Sequence, residues 1–338
     1  MATTKTLANA LNAIRANASE DYQNRVPVAT QTNLTEVGNP ILTYSATMNE
    51  FLNLLVNRIG LVIVHNRELR NPLAILKSGE MPLGMDVEEI AANPAKAETY
   101  NAASTDLLKQ KIPDVKAAYH RLNRQDKYTV TIRNQQLRQA FTSWEKLEGL
   151  IAAIVNSLYS GNYLDEFVLT KQLFASAVTN NKIKTETVTA ITDENSAKDF
   201  IRKARLLFRN FGFPSSNYNA WAQVGGTGDP FITWTPPEKI NMIIRSDIEA
   251  FVDVNVLAAA FNMDKATFLG NVLVVDNFDS AEKCLAVMCD KAFTQIYDNL
   301  TEMTEFYNAE NLSWNYYYHV WQTYSVSPLA NAVAFVTA

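Results

Sequence analysis

The side chains able to do chemistry are few and scattered. His65, His120 and His319 lie far apart, with no His-Glu-x-x-His and no Cys-x-x-Cys, so a zinc site would need distant ligands to converge. Cys284 and Cys289, the only cysteines, sit five apart in CLAVMC and read as half-buried thiols of a reducing compartment, not as a disulfide framework. The one glycine cluster, GGTGDP at 225–230, lacks the Lys-Ser/Thr of a phosphate loop, and Gly-Asp-Pro is turn chemistry. No Gly-x-Ser-x-Gly elbow occurs, and 35 acidic residues without a motif single out no acid/base pair. No catalytic, cofactor-binding or metal-binding residue is assigned, no cofactor is expected, and the chain is not expected to be an enzyme.

The remaining candidate is aromatic. WNYYYHVWQTYSV, residues 314–326, holds four of fourteen tyrosines, two of five tryptophans and one histidine. Such rings could stack bases or sugars, but single-strand grooves pair aromatics with Lys or Arg, and no Asp, Glu, Lys or Arg occurs from Asn311 to Ala338. Only His319 could serve an enzyme of carbohydrates or nucleotides there. As a strand, the run puts Trp314, Tyr316, Tyr318, Val320, Gln322, Tyr324 and Val326 on one face. Asn315, Tyr317, His319, Trp321, Thr323, Ser325 and Ser327 take the other. Large rings on both faces of its first half predict cover on both sides there, with the second face turning small and polar later. At about 3.3 Å per residue the run spans roughly 43 Å, long enough to serve two layers or domains in succession.

The elements that must position these residues follow from periodicity. The chain has 338 residues, 47% of them hydrophobic, a net charge of −5 and a pI near 5.4. That allows about two domains with real cores and disfavours a tight grip on duplex DNA. No stretch approaches 18 consecutive apolar residues, so neither a signal core nor a membrane span is expected. Residues 1–45 read as an arm, with a short helix at Leu7–Ala16 and an irregular stretch through Pro27, Gly38 and Pro40. Met48, Phe51, Leu52, Leu55 and Ile59 mark a helix that Gly60 closes, before a strand LVIV. From His65 to Lys127 mixed charges and Pro72, Pro82, Pro94 and Pro113 mark a long excursion bounded by strands, unable to build a substantial core alone.

Asn134–Asn180 is the most helical region: a Thr142/Glu145 capping box, a helix to Tyr159, a break at Ser160–Asn162 and a second helix Leu164–Val178. Mixed α/β follows. A surface helix covers Lys198–Phe208, strands lie at KINMIIR, GNVLVVD and CLAVMCD, and a Ser246/Glu249 box starts a helix towards Phe261. A charged segment then reaches a turn at Asn308–Asn311, and ANAVAFVTA is a last strand.

Five blocks carry a resemblance: VNRIGLVIV, NPLAILKSGEMPLGMDVEEI, AFTSWEKLE, VDVNVLAAAFNMDKATFLGNVLVVDNF and WNYYYHVWQTYSVSPLANAVAFV. In that order and spacing the chain resembles the major capsid proteins of phi29-like podoviruses, from near residue 12 to its end. The resemblance implies an α+β, HK97-like capsid fold. Residues 1–45 would be the N-terminal arm, 46–64 and 128–182 the P-domain with its spine helix and long strands, and 65–127 the E-loop. The A-domain would be 183–310, and 311–338 would return through the P-domain.

The implied function is a major capsid protein that self-assembles into pentamers and hexamers of an icosahedral or prolate shell around packaged double-stranded DNA, without sequence-specific binding. Implied partners are further copies of itself, a separate scaffolding protein, the portal or connector, and head fibres; no membrane is involved. The location is the virion capsid, assembled in the bacterial host cytoplasm. An immunoglobulin-like decoration is not expected, nor a cross-link through Lys77, Lys96, Lys109, Lys111 or Lys116. An encapsulin-type compartment shares the fold and is the alternative.

Overall fold

The computed structural model describes residues 2–62, 71–99, 110–143, 146–147, 149–150, 156–252 and 271–337. By internal contacts these fall into two units. The first comprises Met1–Asn71, Gln125–Asp165 and Leu300–Trp321; the second comprises Pro72–Arg124, Glu166–Asn299 and Gln322–Ala338.

The first unit begins with α1 (Ala2–Ala16), α2 (Glu20–Arg25), α3 (Leu34–Thr43) and α4 (Ser45–Val62). The stretch after Ala16 is therefore largely helical, not irregular. Ser19 caps α2, its hydroxyl accepting from the Tyr22 N–H and donating to Glu50, while Arg15 donates to the carbonyls of Val26 and Gln23. α3 contains Pro40, which disfavours a helix interior by about 3 kcal/mol. Leu34, Val37 and Ile41 are all buried there, each contributing about 1.5–3 kcal/mol, so packing overrides propensity. Gly38 is required by proximity, because a Cβ would lie 2.9 Å from the Phe141 ring. Gly60 does not close α4, which continues to Val62; an interior glycine costs about 1 kcal/mol but does not by itself end a helix. The expected strand LVIV is thus helical at 61–62, and 63–64 lie outside the described residues.

Between Arg124 and Ser160 run β4 (Arg124–Arg133), α5 (Asn134–Ala140) and a π-helical stretch Asn156–Ser160. The π stretch passes directly into α6 (Gly161–Thr179), so the expected break at Ser160–Asn162 is absent. A π turn absorbs an extra residue without leaving the helix. Thr142 is no cap: its hydroxyl turns back to the Gln139 carbonyl, and Ser143 accepts from the Lys146 N–H instead. Glu145 lies outside the described residues.

The second unit is built on a five-stranded sheet ordered β5-β11-β8-β6-β7. Its strands are β5 (Lys184–Val188), β6 (Ile240–Arg245), β7 (Val272–Val275), β8 (Cys284–Asp290) and β11 (Ala332–Thr337). Central β8 is buried from Cys284 to Cys289, with Val287 opposite Ile243 on one side and Ala334 on the other. α7 (Glu194–Asn210), capped by Asp193, packs on this sheet, Phe200 meeting Phe335 at 5.2 Å between ring centres. α8 is described over Ser246–Phe251; Arg245 occupies its N-cap with no side-chain capping bond, so Ser246 does not play the expected role. The span towards Phe261 lies outside the described residues.

A second sheet has the order β1-β9-β10-β4, with β1 (Gly79–Glu80), β9 (Thr294–Asn308) and β10 (Ser313–Val326). β9 occupies what reads as a charged segment. Its acidic residues fall on a period-two pattern in which Met303, Glu305 and Tyr307 are half-buried and Glu302, Thr304 and Phe306 exposed. Along the chain β9 and β10 each begin in one unit and end in the other. A two-stranded sheet of β2 (Val87–Ala92) and β3 (Val115–His120) completes the set.

Candidate assembly surface and its polar anchors

The aromatic strand is core. Trp314, Tyr316 and Tyr318 are buried, with Tyr159 4.8 Å from Tyr318 and Tyr307 5.0 Å from Trp314 between ring centres. All seven residues of that face are buried. The opposite face reverses the expectation: Asn315, Tyr317, His319 and Trp321 are only half-buried, whereas the small Thr323 and Ser327 are buried. Small polar side chains permit close approach, and the Thr323 hydroxyl donates to Asn299 and that of Ser327 to Glu89. Burial raises the Tyr316 hydroxyl pKa well above the tyrosine range, helped by Glu305.

Other candidates resolve individually. His319 bonds Thr304 at 3.1 Å, and His65 lies outside the described residues. Both cysteines are buried free thiols; burial pushes Cys284 up to about 12, and burial with Asp290 raises Cys289 further. Among the described residues no three His, Cys, Asp or Glu side chains gather as a metal-holding group, and no helix is long and apolar enough to cross a membrane.

The excursion is where polarity is unusual. β2 and β3 pair antiparallel, Glu88 opposite Tyr119, Ile90 opposite Ala117 and Ala92 opposite Val115. In a ribbon exposed on one side, polar residues belong outside and apolar ones inside. Here the inner face carries Glu89, Lys116 and His120, the last two buried, while Ile90, Val115 and Tyr119 are 62%, 53% and 60% exposed on the outer face. Just before the ribbon, Leu83 and Met85 are also exposed.

Three polar anchors tie the excursion to the rest of the second unit, the first two through the inner face of the ribbon. At the first, Lys116 Nζ donates to Asp114 at 2.7 Å and to the Thr227 carbonyl at 2.9 Å, and it lies 5.7 Å from the Trp221 ring centre. Asn93 bridges Asp114, the Pro230 carbonyl and the Ile232 N–H, and Lys96 meets Asp229. Hydrogen bonds from Lys116 and then Asn93 hold the Asp114 carboxyl below the usual range. The GGTGDP stretch is thus a turn, as its chemistry indicates, and also the seat of the excursion. Gly228 has φ +88°, and a Cβ on it would stand 2.6 Å from Lys116 Nζ.

At the second anchor His120 bonds Ser325 at 2.8 Å through Nδ1 and Glu89 at 3.2 Å through Nε2, and Ser327 donates to Glu89 at 2.8 Å. The third is a balanced charge centre. Lys77 meets Glu166 at 3.0 Å and Asp298 at 2.9 Å. The buried Gln322 amide donates to the same two carboxylates at 2.7 and 2.6 Å, and its oxygen accepts from Arg124. Burial alone would lower the Lys77 ammonium pKa; Glu166 and Asp298 outweigh it, and the net direction is upward. Beside this centre Asn123 pairs in both directions with the Tyr324 backbone at 2.8 Å, as a neighbouring strand would.

These anchors were not legible in the sequence, because each depends on residues far apart in the chain, as Lys116 and Thr227, Glu89 and Ser327, and Arg124 and Gln322 are. The excursion also draws on the core of its own chain: Leu73 and Leu76 sit in a buried cluster with Phe174 and Phe293. What remains uncovered is the apolar outer face, which the sequence could have shown as Ile90, Val115 and Tyr119 alternating with Glu89, Lys116 and His120.

Comparison with known proteins bears on what covers it. A family model described as Phi29-like phage major capsid protein matches residues 11–336. The major capsid protein of Bacillus phage B103 is 41% identical over 332 residues, 97% of this chain and 72% of that protein. That of Bacillus phage PZA is 39% identical over the same shares. Among solved structures, a chain of the capsid structure of Staphylococcus phage Andhra matches with a TM-score of 0.64 at 15% identity, covering 81% of this chain and 86% of that one, a likeness of fold.

Proposed function

The chain belongs to the Phi29-like phage major capsid protein family, with the HK97-like α+β fold and the function of a capsid shell subunit, and from that premise we propose how it builds the shell. Its relatives are named as phage capsid proteins, which favours a virion shell over an encapsulin-type compartment. The family is a structural one.

The inverted polarity of the β2–β3 ribbon carries the reading. The ribbon belongs to the E-loop, proposed as 65–127, and its apolar outer face lies on a neighbouring subunit of the capsomer. Burying Ile90, Val115 and Tyr119 there, each a little over half exposed in the subunit, contributes about 1–2 kcal/mol for each side chain before docking costs. Residues 1–45 act as the N-terminal arm, 46–64 and 128–182 as the P-domain with α6 as spine, 183–310 as the A-domain, and 311–338 as the returning strand and C-terminus. Support for the last is the strand β10, which leaves one unit and ends in the other.

Capsomers are pentamers and hexamers, assembled in the host cytoplasm on a separate scaffolding protein around a portal, with head fibres added to the outside. The finished shell encloses double-stranded DNA without reading its sequence. A net charge of −5 suits a wall that must not hold incoming DNA.

Because Leu73, Leu76 and Lys77 are bound into the second unit, deleting 70–120 would disturb that unit as well as the ribbon. Ile90→Asp with Val115→Asp is the cleaner test. The exposed pair should leave thermal unfolding unchanged and abolish closed particles in electron micrographs of the chain expressed with its neighbouring gene products. Normal shells from a normally folded double variant would overturn the assignment.

A further inference from the structure

Helix α7 turns a basic side outward. Phe200, Ala204, Leu207 and Phe208 are buried, while Lys198, Arg202, Arg205 and Arg209 are exposed. Those four recur at i, i+4, i+7 and i+11, a single stripe about 16 Å long at 1.5 Å per residue. The helix carries a fifth cation, Lys203, bound to the Thr187 carbonyl, against only Glu194 and Asp199, in a chain whose net charge is −5. Asp199 pairs with Arg202 at 2.8 Å. Leu206, 61% exposed, flanks the stripe one turn from Arg202.

We propose that this face docks an acidic amphipathic helix of a second protein. Carboxylates one turn apart meet the arginine forks, which match carboxylate geometry, and an apolar side chain of the partner covers Leu206. Duplex DNA would use the cations and leave the leucine in water, which disfavours a phosphate surface. The helix comes from a different protein because, among the described residues, no other helix of eight or more residues shows an exposed acidic row. α1 has no acid, and α3 has only Glu36. The single acid of α4, Glu50, is bonded to Ser19. In α6, Asp165 accepts from Tyr128 and Glu166 is buried.

The test uses the unassembled full chain and a labelled synthetic helix of about 20 residues, with glutamates one turn apart beside leucines, read by fluorescence anisotropy. Binding is expected to saturate and to weaken as salt rises from about 50 to 200 mM. Arg202→Glu with Arg205→Glu and Arg209→Glu should weaken it about tenfold or more, with unchanged thermal unfolding because all three are exposed. Leu206→Ser should weaken it with the salt dependence intact. No binding, equal binding by the triple variant, or tighter binding of a duplex DNA of about 20 base pairs would each overturn the proposal. The readout does not require shells, so failure of the ribbon assignment and failure of this docking face are separable.

Discussion

Gln322→Glu probes the charge centre most sharply, since it replaces NH₂ by oxygen in an otherwise isosteric side chain. In the native arrangement Nε2 lies 2.7 Å from a Glu166 oxygen and 2.6 Å from an Asp298 oxygen. An ionised carboxyl at that place forfeits two hydrogen bonds to charged groups, about 1.5–3 kcal/mol each, and adds a third negative charge. Uptake of a proton is the less costly response. It restores one donor, and raising a carboxyl by about three units from its ordinary 4.3 costs about 4 kcal/mol once the unfolded state is ionised, at about 1.36 kcal/mol per unit.

The folded pKa of the new group is then above the unfolded one. The penalty is therefore about 1.5–3 kcal/mol near pH 4, for the one bond still lost, grows as pH rises past the unfolded value, and levels off about 4 kcal/mol higher by pH 8. Urea unfolding of the unassembled protein, followed by tryptophan fluorescence against wild type at each pH, measures it. Gln322→Leu loses the same bonds without a titrating group and should be destabilised by an amount that does not vary over that range. A loss under about 1 kcal/mol at pH 8, or a Gln322→Glu penalty independent of pH, would refute the arrangement of this centre.

The Tyr316 hydroxyl is buried with no hydrogen-bond partner among the described residues, so Tyr316→Phe should be neutral or stabilising by about 1 kcal/mol in urea; a loss larger than that would reveal a hidden partner. Gly228→Ala places a Cβ against Lys116 at a positive φ and should cost about 1–2 kcal/mol while speeding amide exchange in the β2–β3 ribbon; unchanged exchange would separate the turn from the anchor. With Cys284 pushed up to about 12 by burial, the fold favours the protonated thiol. Its contribution is complete below the unfolded value of about 8.5 and is lost as pH rises towards 12. Labelling of the native protein by a thiol reagent at pH 9 should accordingly be slow, and rapid labelling would contradict the buried placement.

Much of the local structure follows from neighbours along the chain. Alternation and the absence of charge beyond Asn311 mark β10 as a strand, although the cover expected on both faces of its first half is full on one face only, and Phe200, Ala204 and Leu207 mark the buried side of α7. The ordered blocks that resemble phi29-like capsid proteins carry the family and the fold, because they record a whole topology that no single periodicity contains. Where local signals mislead, long-range packing outweighs them. α3 accepts Pro40 because its apolar side is buried, α4 runs through Gly60, and β9 keeps its acidic residues on alternating faces.

What only the tertiary structure decides is which polar groups meet. Nothing in the chain near Gln322 announces that its amide will join Glu166, Asp298 and Arg124, or that a glycine turn at 225–230 will seat Lys116. A buried polar side chain is tolerated only where its partners converge, and convergence is a property of the folded backbone, not of spacing. The inner face of the ribbon is polar because such partners wait for it, which leaves its apolar residues to the outside.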